Sequence, residues 1–209
     1  MDSHSTTFHL VRHGETVHNV EGRLQGWCDS PLTREGVTAV RETAERLRGR
    51  DFVAAYTSTS LRAVTTAEQL LEHHPSVPLR ALPQLRELGF GGLEGTREVD
   101  LLPTIDPVGM WAAVVGGTFE GFPGGETGPT FRARVLRAFA AIEAAHPSGE
   151  VLVVSHCLTL MTYLAAIDPT STAVPRNAGV SVVEVGPAGR LLRSVDARRP
   201  APTALAASR

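Results

Sequence analysis

Short apolar runs alternate along most of this chain with longer stretches of helical period. Phe8-His9-Leu10-Val11 is apolar-rich and stops at Arg12-His13-Gly14, which predicts a first strand ending on a polar loop. After Pro31-Leu32-Thr33, the residues Val37, Val40, Ala44 and Leu47 recur at helical spacing, with Thr33 placed to cap the helix. Phe52 to Tyr56 reads as a second buried strand running into Thr57-Ser58-Thr59-Ser60. A helix from Leu61 to Glu72 follows, closed by Pro75, and Val77 to Leu82 suits another short strand.

In the second half, Phe131, Val135, Phe139 and Ile142 form a helical stripe stopped by Pro147-Ser148-Gly149. Val151 to Val154 is uninterrupted and apolar, the pattern of a strand covered on both faces, and a helix from Leu158 to Ala166 follows it. Val180 to Val185 and Leu191 to Val195 flank Gly186-Pro187-Ala188-Gly189 and predict a hairpin at the sheet edge. Thr96 to Glu126 breaks the alternation: it is rich in Gly and Pro, with Trp111, Phe119 and Phe122 scattered through it. It reads as an insertion over the site with a short helix around Val108 to Val115. Residues 197–209 are expected to form a frayed tail.

This alternation predicts an α/β fold: a mainly parallel central sheet with helices on both faces, an antiparallel edge hairpin and a small cap insertion over 96–126. Ligands of such sheets gather outside the carboxyl ends of the strands. Those places hold Arg12-His13-Gly14, Ser58 to Arg62, and Ser155-His156, all suited to an anion.

Composition narrows the classes. A length of 209 residues fits one domain with a modest cap. All 20 basic side chains are arginine, against 22 acidic ones, for a net charge of -2. That balance argues against a broad nucleic-acid surface but allows a local basic pocket. No apolar run approaches the roughly 18 residues of a membrane span. Met1 to Thr7 lacks the basic opening of a signal peptide. Cys28 and Cys157 form no disulfide framework or metal spacing, so a cytoplasmic protein is expected.

Phosphate-ester chemistry needs positive donors, an in-line nucleophile and an acid for the leaving oxygen. Arg12 and Arg62 are candidates to grip a phosphoryl group bidentately. One of His13 and His156 can attack phosphorus while the other steadies its oxygens, and Glu87 can supply the proton. Competing motifs are weaker. Cys28 and Arg34 have the Cys-x5-Arg spacing of cysteine-dependent phosphatases, but Pro31 removes an N–H from that loop. Gly89 to Gly95 lacks both the Rossmann spacing and the Walker lysine, and reads as a turn beside Glu87. His73-His74 reads as the basic end of a helix.

Leu10-Val11-Arg12-His13-Gly14-Glu15-Thr16 with Asn19, Leu24-Gln25-Gly26, Asp29 to Thr33, Ser58 to Ala63, Leu85-Arg86-Glu87, Gly92 to Gly95, Gly124-Gly125-Glu126, Val153 to His156 and Asn177 follow one another in order. As a set they resemble the histidine phosphatase superfamily, the phosphoglycerate-mutase-like proteins. The resemblance implies a phosphohistidine on His13, and a phosphate pocket made by Arg12, Arg62 and His156. It implies that Asn19, Gln25 and Gly26 lie along the site, that Glu87 acts as general acid and then base, and that no metal or other cofactor takes part. Two residues depart from the pattern. Cys157 stands beside the phosphate pocket where the family usually has glycine, so its side chain can narrow the floor. Gln25 stands where some members have Ser or Thr.

The superfamily holds phosphatases and mutases. The 96–126 stretch has one basic residue, Arg97, against five acids, a balance of −4 that disfavours a second anionic group on the substrate. The chain is also shorter than mutases of this family usually run. A phosphatase is therefore expected, acting on a small-molecule phosphate ester, with no nucleic-acid or membrane partner. A phosphoglycerate-mutase-type phosphotransferase and a non-catalytic phosphate-binding regulator are the alternatives. Met110, Trp111, Phe119 and Phe122 either meet an apolar leaving group or pack the cap. Oligomeric state is left open, a homodimer being one option.

Overall fold

The apolar run near the start becomes β1 (Thr6–Arg12), held in the middle of a sheet rather than at its rim. The computed structural model describes residues 5–101 and 106–197, and among these the sheet has six strands. β2 (Phe52–Ser58), β3 (Leu79–Leu82) and β4 (Gly149–Ser155) run parallel with β1, whereas β5 (Val180–Gly186) and β6 (Gly189–Val195) run antiparallel. The order is β3-β2-β4-β1-β5-β6. The fold is therefore mixed α/β, mainly parallel, with the antiparallel pair at one edge.

The helices are α1 (Val17–Val20), α2 (Arg34–Leu47), α3 (Leu61–Leu70), α4 (Glu98–Leu101), α5 (Pro107–Gly116), α6 (Gly128–Ala145) and α7 (Cys157–Ile167). Because side chains alternate along a strand, each strand feeds two cores. Phe8, Leu10, Val151 and Val153 pack with residues of α5, α6 and α7. Val11, Ala55, Leu152 and Val154 pack with α2 and α3. Thr33 caps α2 as its position predicts, accepting the Gly36 N–H at 2.9 Å.

Some details differ from the sequence pattern, among them the strand expected from Val77, which begins at Leu79. α3 ends at Leu70, two residues short of Glu72, because Leu71 leaves helical geometry and Glu72 N–H turns to the Gln69 carbonyl. The single turn α1 is unheralded by periodicity; a Thr16–Asn19 capping box makes it. Ala197 is not frayed, since it forms a bridge with Pro175, while the rest of the expected tail lies outside the described residues. No described helix is long and apolar enough to cross a membrane.

Register decides what the sheet displays. Arg12 lies opposite Ser155 on β4, and Thr57 of β2 lies opposite Val154, so the carboxyl ends of three parallel strands finish level. The α7 helix that leaves β4 is anchored through Tyr163, whose ring stacks on Phe139 of α6 with centroids 3.8 Å apart. Phe139→Ala should therefore cost about 3–5 kcal/mol. Urea unfolding checks it, and the midpoint should fall with an unchanged slope.

Candidate active site

His13 follows the last residue of β1, and its backbone N–H donates to the Ser155 carbonyl at 2.9 Å, a bond that ties the two strand ends together. Its ring is buried, and Nδ1 lies 2.8 Å from the Gly14 carbonyl. A carbonyl only accepts, so Nδ1 carries the proton and the neutral ring has its lone pair on Nε2. Gly14 is held in turn, its N–H donating to Thr66 Oγ1 at 3.0 Å.

The His156 ring lies 5.2 Å from that of His13, centroid to centroid, close enough for one tetrahedral anion to meet both. It is fully buried. Burial, then the nearby Arg62 charge, hold it well below the usual histidine range, which favours the neutral ring. Its Nε2 lies 2.8 Å from Ser58 Oγ, shorter than the 3.4 Å from Ser58 Oγ to Ser60 Oγ. With the Ser58 proton on the shorter bond, His156 keeps its own proton on Nδ1 as a donor. Nδ1 of His156 and Nε of Arg12 and Arg62 are all buried without a hydrogen-bond partner among the described residues. Orphan buried donors cost roughly 1–3 kcal/mol each, and an oxyanion would satisfy them.

The arginines differ from the paired grip that their chemistry suggests. Arg12 donates through Nη1 to the Pro175 carbonyl at 3.0 Å and lines the cleft. Arg62 is 1% exposed, and its four terminal N–H groups are engaged by the carbonyls of Gln25, Gly26 and Cys28 and by Asp29. Bidentate use of Arg62 would break those bonds, so only Nε–H remains to offer an anion. Its larger task is to fasten the 25–29 loop to α3.

Glu87 is 6% exposed, at the N-terminus of α7. Its carboxyl accepts the backbone N–H groups of Leu158 at 3.0 Å, Thr159 at 3.2 Å and Leu88 at 3.0 Å. Burial raises its pKa, against the opposing pull of those Leu158 and Leu88 amides and of Arg62 and Arg12. Arg134 fixes the same loop: it forms a two-point ion pair with Glu126 at 2.7 Å and donates to the carbonyls of Gln84, Arg86 and Glu87.

Arg12, His13, Asn19, Gln25, Glu87 and Cys157 line one cleft of about 230 Å³. Gly26, Arg62 and His156 are not among the residues that line it. Gly26 acts through its backbone, donating to Glu94, and a Cβ there would meet the Leu88 carbonyl at 2.1 Å. The Asn19 side-chain oxygen accepts from Thr16 N–H and Asn177 Nδ2, which leaves its amide N–H₂ as the group for a ligand. Gln25 is fixed between Thr16 and Ser30 hydroxyls at 2.8 and 3.0 Å. Cys157 begins α7 and its thiol lies 3.8 Å from the Met161 sulfur, along the cleft floor. Of the hydrophobic residues considered for the cap, Trp111 reaches the cleft, whereas Phe119 packs on Phe122 and Phe122 on Phe90.

Sequence reasoning gave no role to Ser58, Asn177 or Glu94, although their motifs were in view, and it missed Arg134. Arg134 is detectable: it borders the apolar stripe of Phe131 and Val135, where a solvated arginine is out of place. Glu94 accepts the N–H groups of Gly26, Trp27, Cys28 and Phe90, which closes the Gly-rich turn against the 25–28 loop. The cysteine-phosphatase reading fails on charge. Burial and Glu94 push the Cys28 thiol up to about 11, so no thiolate is available near neutrality.

Residues 8–197 match the profile of the Histidine phosphatase superfamily (branch 1). Among curated proteins the chain is 36% identical over 160 residues to a probable phosphoglycerate mutase GpmB of Enterobacter sp. (strain 638), across 76% of this chain and 73% of that protein. Among solved structures it is similar to YhfR of Bacillus stearothermophilus, with a TM-score of 0.80 and 32% identity over 93% of this chain and 98% of that one. It is also similar to the alpha-ribazole phosphatase of Shigella flexneri, with a TM-score of 0.78 and 25% identity over 93% and 98%. Buried histidines at two adjacent strand ends, an arginine at their side and a profile match across nearly the whole chain lead to one assignment: this protein belongs to the histidine phosphatase superfamily.

Proposed function

We propose that the chain is a phosphomonoesterase that passes the phosphoryl group of a small-molecule ester to His13 and then to water. The observation that carries this reading is the 2.8 Å contact between His13 Nδ1 and the Gly14 carbonyl, which assigns the lone pair to Nε2. Nε2 attacks phosphorus and the bond to the leaving oxygen breaks, with Arg12 and the Nδ1–H of His156 steadying the equatorial oxygens. Glu87, its acid form favoured by burial, gives its proton to the leaving oxygen. The carboxylate so formed takes a proton from the water that attacks the phosphohistidine. The P–N bond then breaks, His13 regains its lone pair and inorganic phosphate leaves.

The names of relatives divide between mutase and phosphatase, so the choice rests on the cleft. A bisphosphoglycerate-dependent mutase needs spare cations for a second anionic group. The further arginine lining this cleft, Arg23, is already engaged by Glu21 at 2.6 Å and the Gly95 carbonyl at 2.8 Å. The acidity of the 96–126 stretch counts for less than its −4 suggests, because Glu126 is paired with Arg134 and Asp106 caps α5. Of its acids, Glu98 lines the cleft. The resemblance to the probable mutase keeps phosphoglycerate transfer as the second reading.

Assays with p-nitrophenyl phosphate and 3-phosphoglycerate, with and without 2,3-bisphosphoglycerate, decide between them. Hydrolysis should dominate, and mutase turnover that depends on the bisphosphate and exceeds hydrolysis would overturn the reading. His13→Ala should lower kcat by roughly three orders of magnitude or more. It should also abolish the label retained when enzyme and radiolabelled ester are quenched without acid.

Glu87 must be protonated for the first step, so kcat/KM is full below its raised pKa and falls as pH climbs through it. Glu87→Ala should remove that alkaline limb. It should cost about 10²–10⁴ in kcat/KM with an alkyl phosphate, whose alkoxide needs a proton, and far less with p-nitrophenyl phosphate. Equal losses on both substrates would show that Glu87 is not the acid.

A further inference from the structure

The sequence of α5, Pro107-Val108-Gly109-Met110-Trp111-Ala112-Ala113-Val114-Val115-Gly116, has no polar side chain on any face. A helix apolar all round is normally buried all round. Here Val114 alone is fully buried, and Val108 is 79% exposed. The outer side of α5 forms, with α7 and the loop over 169–174, a groove of about 610 Å³ walled by Val108, Ala112, Val115, Ala165 and Pro169. Arg132 is the one charged residue among the described residues that line it.

This groove is not separate from the catalytic cleft. Trp111, Met161 and Val174 line both, so the groove opens from the cleft across the Trp111 indole and the Met161 thioether. The cleft, at about 230 Å³, is smaller than the 300–1,000 Å³ usual for a small-molecule site. Phosphate chemistry occupies the polar end, at His13 and Arg12. Whatever is esterified to that phosphate must leave past Glu87, and the apolar path runs over Trp111 and Met161. Among the described residues lining the groove, Arg132 is the one counter-charge for a second phosphate or a carboxylate.

We propose that the α5–α7 groove is the leaving-group site, and that the substrate is a phosphate monoester of an alcohol bearing an extended hydrocarbon chain or fused ring system. This deepens the phosphomonoesterase reading and rests on it. The phosphoryl group is held at His13, and the hydrocarbon lies across Trp111 into the groove. Continuity with the phosphate cleft favours this occupant over a second copy of the chain.

Isothermal titration calorimetry with methyl-, butyl- and octylphosphonate tests the groove without any turnover. A methylene fully removed from water is worth about fourfold in affinity. Octylphosphonate should therefore bind at least about thirtyfold more tightly than methylphosphonate, with a negative heat-capacity change. Ala165→Phe fills the groove and touches none of the catalytic groups. It should pull octylphosphonate at least tenfold back toward methylphosphonate while leaving methylphosphonate binding unchanged. Ala112→Phe, on the exposed face of α5, is the second variant should the first fail to fold, with the same expectation. Equal affinity along the series in the wild type would overturn the proposal. So would a gain that neither variant reduces, or sedimentation as a dimer with no gain from chain length, which would assign the groove to a second copy. Tightening along the series with no hydrolysis of any ester would instead sink the phosphomonoesterase reading and leave the groove standing.

Discussion

Everything in the site depends on the in-register parallel pairing of β1 with β4. Arg12 opposite Ser155 means that the next residues, His13 and His156, emerge side by side, and the His13 N–H to Ser155 carbonyl bond fixes that step. A slip of one residue would turn alternate side chains to the wrong face, burying what must meet ligand. Slippage is opposed by the cores themselves, since Phe8, Leu10, Val151 and Val153 face one layer of helices while Val11, Leu152 and Val154 face the other. The geometry of the candidate site is a by-product of hydrophobic register.

Charged side chains hold the loops that complete the site. Arg62 gathers the 25–29 carbonyls, Glu94 gathers the amides of nearly the same loop, and Arg134 gathers the carbonyls around Glu87. Each charged side chain takes several backbone groups, the arrangement that makes a desolvated charge tolerable. Removing Arg134 would leave the Glu126 carboxylate, 9% exposed, without its ion-pair partner, a loss that in buried pairs costs about 3–5 kcal/mol. Positioning and stability are therefore the same interactions in this part of the molecule.

The sheet and its long helices were legible because burial imposes period two or 3.6 on the residues, as in Val151 to Val154 or Phe131 to Ile142. The histidines and Arg12 were legible because strand ends are where polar residues gather. What escaped was the division of labour among residues at equal distance from the chemistry. Arg62 looks like a ligand arginine in sequence, yet its hydrogens are engaged by carbonyls contributed some 36 residues away. Glu126 looked like part of a repulsive cap until Arg134, from the following helix, neutralised it. Such assignments depend on which partners arrive, and no local pattern records that.

The start of α7 bears on the acid and base roles proposed for Glu87. A helix N-terminus is often where a phosphate binds, because its amides are unsatisfied and its dipole is positive. In this protein those amides, at Leu158 and Thr159, are taken by Glu87. Burial favours the acid form and the amides favour the carboxylate, so neither state is prohibitive. That balance is what a group needs if it is to lose a proton to the leaving oxygen and regain one from water in the same cycle. The same helix start supplies its backbone amides to Glu87, and the Cys157 thiol at its first residue lies 3.8 Å from the Met161 sulfur.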